Sequence, residues 1–228
     1  MTQPFPNDPF LRGNYGPLLM EAEAYDLPIE GELPPALNGT LYRNGPNPQF
    51  APRGFYHWFA GDGMLHAFHL ENGKASYRNR WVRTPKWQLE HDAGRALYGA
   101  FGNPMWSDPV TFGKDSTTAN TNVVWHAGKL LALEEAHLPF EVEADSLAPI
   151  GDQTFGGKLK TKMTAHPKID PETGEMVCFA YSGAGRFTPT MAYYTIDRSG
   201  GLTDYQQFEA PYASMVHDFW VTRDFLLF

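Results

Sequence analysis

The apolar positions fall in short runs rather than long stripes. "LHAFHL" at residues 65–70 is followed by "ENGK" and then by "ASYRNRWV" at 75–82, which reads as strand, tight turn, strand. The arrangement recurs at "NVVWH" (122–126), "AGK", "LLALEE" (130–135), and at "TAHPKI" (164–169), "DPETGE", "MVCFAYSG" (176–183). It recurs again at "MAYYTID" (191–197), "RSGG", "LTDYQQFEA" (202–210), and "ASMVHDFWVT" (213–222) with "DFLLF" (224–228) opens a fifth hairpin. Asn-Gly, Ala-Gly, Thr-Gly and Gly-Gly pairs in these turns permit the positive φ angles that tight hairpins need. Only "WQLEHDAGRALYGA" (87–100) has helical spacing, and Gly94 and Gly99 weaken it.

Successive hairpins with few helices predict an all-β fold, most simply a β-propeller built by radial repetition, with a two-sheet sandwich as the alternative. The hairpins amount to about four to five blades. The first segment, residues 1–20, reads as an extended arm, and residues 21–228 as one propeller domain. The final "DFLLF" stops inside an apolar β run. Apolar strands left unpaired are a liability, so the chain is expected to be the N-terminal part of a longer protein.

Composition supports this class and narrows the function. Apolar residues make up 42% of the 228, charged residues 19% and aromatics 14%, with 22 Gly and 19 Pro, a globular balance rich in strand and turn formers. A net charge of −8 without any cluster of basic residues argues against a nucleic-acid surface. No apolar stretch is long enough to span a membrane, although a weak membrane-surface contact for substrate uptake stays open. Cys178 is the only cysteine, so no internal disulfide forms, and a reducing, cytoplasmic location is expected.

Histidines are the candidate chemistry. "YHWFAGDGMLHAFHL" (56–70) holds His57, His66 and His69. His66 and His69 are three apart on a strand and face opposite sides, so these three do not close a metal site. His166 and His217 are lone histidines in apolar β runs, in similar places of successive repeats. Inner strands of propeller blades pass near a common axis, so such residues can converge on one ion. A satisfied core histidine is the commoner outcome for either alone, and the pattern leaves both readings open.

Five colinear motifs, "LYRNGPNPQF" (41–50), "FAGDGMLHAF" (59–68), "ANTNVV" (119–124), "TAHPKIDPETGEM" (164–176) and "MVHDFWVT" (215–222), resemble the carotenoid cleavage oxygenases. The likeness is strongest to their bacterial and fungal stilbene- and phenylpropanoid-cleaving branch. It implies a seven-bladed propeller with one Fe(II) on its axis, held by four histidines. His166 and His217 match the first two ligands, and the others would lie beyond residue 228. Neutral imidazole suits Fe(II) and leaves two octahedral positions open. Glu135 matches a glutamate that accepts the other ring N–H of a ligand, and Thr121 a small residue that crowds one open position.

The implied reaction is dioxygenation of a C=C bond in an apolar conjugated substrate by O2, giving two carbonyl products. In the stilbene-cleaving branch a phenylalanine, a tyrosine and a lysine gather at the substrate. Here the phenylalanine is kept as Phe59, the tyrosine position reads Phe101 and the lysine position Glu134. Tyr98, three residues from Phe101, is the alternative hydroxyl contact. These departures predict an enzyme without a strong preference for 4-hydroxystilbenes, acting on a less polar polyene or aryl-alkene. A propeller binding module without metal and a non-oxidative isomerohydrolase of the same family are the competing readings.

Overall fold

The computed structural model describes residues 3–228. Its strands, in chain order, are β1 (Ala22–Ala24), β2 (Gly39–Pro46), β3 (Gly63–Glu71), β4 (Lys74–Trp81), β5 (Asn122–His126), β6 (Lys129–Leu133) and β7 (Phe140–Val142). They continue with β8 (Pro149–Asp152), β9 (Lys168–Ile169), β10 (Met176–Ala180), β11 (Thr190–Ile196), β12 (Leu202–Glu209), β13 (Trp220–Val221) and β14 (Leu226–Leu227). Among the described residues these form three four-stranded sheets, ordered β1-β4-β3-β2, β5-β6-β7-β8 and β12-β11-β10-β9, and a β13-β14 ribbon. Pairing is antiparallel throughout the registered strands. The five predicted hairpins are thus present but occupy four sheets, because the third and fourth share one.

The chain divides into two compact units, one running to Asn120 and taking in Asp145–Pro149, the other comprising Thr121–Ala144 and Ile150–Phe228. In the first, the β3–β4 turn places Asn72 at φ 50° and Gly73 at φ 74°, the twist-matched geometry that Asn-Gly provides. The "GDG" motif serves close approach rather than turning. A Cβ on Gly63 would lie 2.4 Å from the carbonyl oxygen of Ala119, where the Gly63 N–H already donates to Thr118 O at 2.7 Å. Asn120 Nδ2 closes the same corner by donating to the carbonyls of Phe59 (2.7 Å) and Gly61 (2.6 Å). The N-terminal segment carries two 3-10 turns, Pro9–Leu11 and Gly13–Tyr15, and Asn47 holds it by exchanging hydrogen bonds with both backbone groups of Leu18.

The helix differs from its sequence expectation. It runs Pro85–Ala93 (α1), with Thr84 as N-cap, Pro85 in the first turn and Gly94 as a left-handed C-cap. Gly94 therefore ends the helix, and Pro85 starts it with the φ that proline fixes.

The core of the second unit is built from alternate strand positions, as a period of two requires. Leu131 and Leu133 of β6, Met176 and Cys178 of β10, and Tyr194 and Ile196 of β11 are all fully buried in one cluster with Phe155, Leu159, Met163 and Ala165. The other face of β10 and β11 contributes Phe179 and Met191 to a cluster with Phe219, against which Tyr181 packs.

The strands are shorter than their apolar runs around the candidate residues. His166 precedes β9 instead of lying in it, because Pro167 has no N–H to extend the ladder. His217 lies in an irregular segment before β13, where Asp218 Oδ1 accepts its neighbour Phe219's N–H at 2.8 Å and competes with strand pairing. β6 stops at Leu133, which leaves Glu134 and Glu135 in a turn closed by the His137 N–H on Glu134 O at 3.3 Å.

Candidate metal centre

The two lone histidines meet. The rings of His166 and His217, far apart in sequence, lie edge to face with centroids 4.6 Å apart. His166 Nε2 is buried and has no hydrogen-bond partner. Burial, reinforced by the neighbouring His217, pushes the pKa of His166 down, which favours the neutral imidazole a metal requires. His217 is half-exposed, and its Nδ1 donates to Glu135 Oε2 at 2.7 Å. That bond places a proton on Nδ1, so Nε2 is the nitrogen that could face a metal. Glu135 Oε1 accepts a second hydrogen bond, from the Tyr181 hydroxyl at 2.7 Å.

A further contact fixes the spacing of the two histidine segments. Lys168 Nζ, two residues after His166, donates to Asp218 Oδ1, next to His217, at 2.7 Å, and the same ammonium lies 5.4 Å from the Phe219 ring centroid. Tyr181, Lys168 and Asp218 were not flagged by sequence. Each acts through a partner at least 46 residues away, which local pattern does not reveal.

The donor set fits a divalent transition metal, since one orphaned buried imidazole nitrogen and one imidazole oriented by a carboxylate are what such an ion uses. The described residues supply two such nitrogens and no group of three or more His, Cys, Asp or Glu placed to hold an ion.

The other candidates divide between the two units. In the second, Thr121 is exposed and its N–H donates to Leu133 O at 3.0 Å. Glu134 turns toward its own loop, accepting from His137 Nδ1 and from the Ala136 N–H. In the first, Phe59 and Phe101 are 60% and 61% exposed, and the His57 ring stands between them, with centroids 4.9 Å and 4.7 Å away. Phe101 adopts φ 55°, a left-handed backbone unusual for a bulky residue. Tyr98 is buried, and its hydroxyl donates to Asp115 O at 2.7 Å.

The three clustered histidines are satisfied locally. His57 Nδ1 accepts from the Phe59 N–H at 3.1 Å, His66 Nδ1 bonds the Tyr77 hydroxyl at 2.7 Å and His69 Nδ1 bonds Thr40 Oγ1 at 3.0 Å.

Sheets of four antiparallel strands are the blades from which propellers are built. Residues 15–228 match the family model for RPE65, the retinal pigment epithelial membrane protein, and the chain belongs to that family, the carotenoid cleavage oxygenases. It is 43% identical to isoeugenol monooxygenase of Pseudomonas putida over 97% of this chain and 47% of that protein. Its structure superposes on lignostilbene dioxygenase of Pseudomonas brassicacearum with a TM-score of 0.93 at 43% identity, covering 97% of this chain and 47% of the other. Cobalt-substituted apocarotenoid oxygenase of Synechocystis matches with a TM-score of 0.78 at 30% identity, covering 90% and 46%. The chain is part of a β-propeller and spans about half the length of the curated relatives it matches.

Proposed function

We propose that the full-length protein is a non-haem Fe(II) dioxygenase that cleaves a C=C bond of an apolar conjugated substrate, an aryl-alkene or a polyene, into two carbonyl products. The observation that carries this reading is the His166–His217 pair, with His166 Nε2 buried without a partner and His217 Nδ1 held by Glu135. Residues 21–228 are the propeller portion and residues 1–20 an arm.

His166 and His217 would hold the iron through Nε2, and the remaining ligands would come from residues outside this chain. When bound, the iron supplies O2 activation next to the double bond. This chain's own side chains do the positioning. Glu135 holds the Nδ1 proton of His217 and so orients the ring. The Lys168–Asp218 pair ties the two histidine segments together. By resemblance Thr121 would narrow the approach to one iron position. In the first unit, Phe59 and Phe101 expose aromatic rings of a kind that suits a conjugated substrate.

No helix among the described residues is long and apolar enough to cross a membrane, and the lone, buried Cys178 suits a reducing, cytoplasmic compartment. The deciding experiment is iron analysis of the full-length protein together with product analysis under labelled O2. One iron per chain and label in both carbonyl products are expected. A protein that retains no stoichiometric iron after anaerobic reconstitution is a binding module and not this enzyme.

A further inference from the structure

A chain of contacts extends behind the candidate ligand His217. His217 Nδ1 donates to Glu135 Oε2 at 2.7 Å, the Tyr181 hydroxyl donates to Glu135 Oε1 at 2.7 Å, and Lys162 Nζ sits 5.8 Å from the Tyr181 ring centroid. We propose that Tyr181 is a positioning residue for His217, acting through Glu135. The inference rests on the metal-centre reading above.

The physical argument starts from the freedom of a carboxylate. Glu135 stands in a turn just past the end of β6, not in the ladder. One hydrogen bond from an imidazole fixes one oxygen and leaves the carboxylate free to rotate about its last torsion, which is broad for an sp² group. A second donor on the other oxygen removes that freedom. Tyr181 can provide it because it follows β10 directly and its ring is anchored in the cluster of Phe179, Met191 and Phe219.

The ring and the hydroxyl therefore have separable roles. The ring fills a core beside the His217 segment, and the hydroxyl reaches the carboxylate. Lys162 over the ring face adds a cation–π contact that helps to fix the ring. With Glu135 held at both oxygens, the Nδ1–H tautomer of His217 is fixed and Nε2 is kept for the metal.

The test uses the full-length protein stripped of metal by chelation and titrated with Co(II), comparing wild type, Tyr181→Phe, Glu135→Gln and the double variant. Tyr181→Phe keeps the ring and should weaken Co(II) binding about threefold to tenfold, less than the roughly 10–100-fold typical of removing the direct partner. In the Glu135→Gln background the same substitution should have a smaller effect, because the amide has a single accepting oxygen and contacts that act in series couple in a double-mutant cycle. Imidazole nitrogen chemical shifts of the metal-free protein give a second readout. Wild type should show one His217 tautomer, and Tyr181→Phe a mixture.

Wild-type affinity and a single tautomer in Tyr181→Phe would overturn the inference, as would an undiminished effect of that substitution in the Glu135→Gln background. If Tyr181→Phe does not fold, Tyr181→Leu carries the same cycle, and wild-type affinity with a single tautomer there is equally fatal. A wild-type protein that binds no Co(II) overturns the metal-centre reading itself, whereas wild-type binding without a Tyr181 effect overturns only the role of Tyr181.

Discussion

Each unit contains a cluster of titratable side chains, and the two are finished differently. In the first, Lys86 donates to Asp62 Oδ1 and Glu90 Oε2, each at 2.7 Å, and Glu90 Oε1 accepts the backbone N–H groups of Leu97 (2.7 Å) and Tyr98 (2.9 Å). All three charged residues are buried, beside a cavity of about 40 Å³, room for a few water molecules. In the second unit, Glu135 is held by Tyr181 and His217, but His166 ends in a buried nitrogen with no partner. Burying a polar atom without a hydrogen bond costs about 1–3 kcal/mol. The first cluster closes on itself and organises the loop after α1. The second is one partner short at His166 Nε2, as the proposed metal centre requires.

The contrast is broken most sharply by removing members of each cluster. His166→Ala and His217→Ala in the full-length protein should abolish stoichiometric iron and activity. In the metal-free protein His166→Ala should change unfolding free energy by no more than roughly 1 kcal/mol, since His166 Nε2 has no partner, and His217→Ala by more, because it also removes the bond to Glu135. His57→Ala, His66→Ala and His69→Ala should keep the iron. Metal analysis of this set decides the assignment, and iron loss in His66→Ala with retention in His166→Ala would reverse it.

Lys86→Met should do the opposite. It leaves two buried carboxylates facing each other without their cation, a change that costs roughly 3–5 kcal/mol in comparable buried pairs. Denaturant unfolding should show that loss, and any protein that remains folded should still take up iron. Stability equal to wild type would mean that the Asp62–Lys86–Glu90 cluster is not the structural element described.

A smaller effect is expected at Glu135. Glu135→Gln keeps the shape and can still accept from His217 Nδ1, but without the charge. Metal affinity and kcat should fall by roughly 10–100-fold. An unchanged affinity would detach Glu135 from the centre.

Much of this was legible in the sequence, for reasons that differ by residue. The hairpins were readable because a period of two and an Asn-Gly or Ala-Gly turn are local signals, and Asn72-Gly73 takes the positive φ angles expected of it. The His166–His217 encounter was suggested by repeat spacing and by resemblance, and the structure brings the rings together. The irregular backbone at both histidines was missed, because an apolar run looks like a strand whether or not a partner pairs with it. The helix start was missed although Thr84-Pro85 is a start signal. Tyr181 and the Lys168–Asp218 pair were invisible, since their partners are set by tertiary packing alone.

The smallest expected effect concerns the substrate's own hydroxyl. A site that recognises a phenol needs a donor or a cation aimed at its oxygen. Phe101 has no hydroxyl and presents an exposed ring. Glu134 is acidic and accepts from His137 Nδ1 and the Ala136 N–H. Tyr98 is buried with its hydroxyl committed to Asp115 O. A carboxylate near a phenol disfavours its ionised form, and an apolar pocket barely distinguishes a hydroxyl, whereas a site built to bind one discriminates by roughly 10⁴–10⁵-fold. The kcat/KM of the full-length enzyme for a 4-hydroxystilbene should therefore exceed that for the unsubstituted stilbene by less than about tenfold. Tyr98→Phe should leave the ratio unchanged. A 4-hydroxyl advantage of about a thousandfold or more would show that phenol recognition survives. A ratio that collapses in Tyr98→Phe would place that recognition on Tyr98, released from Asp115 when substrate binds.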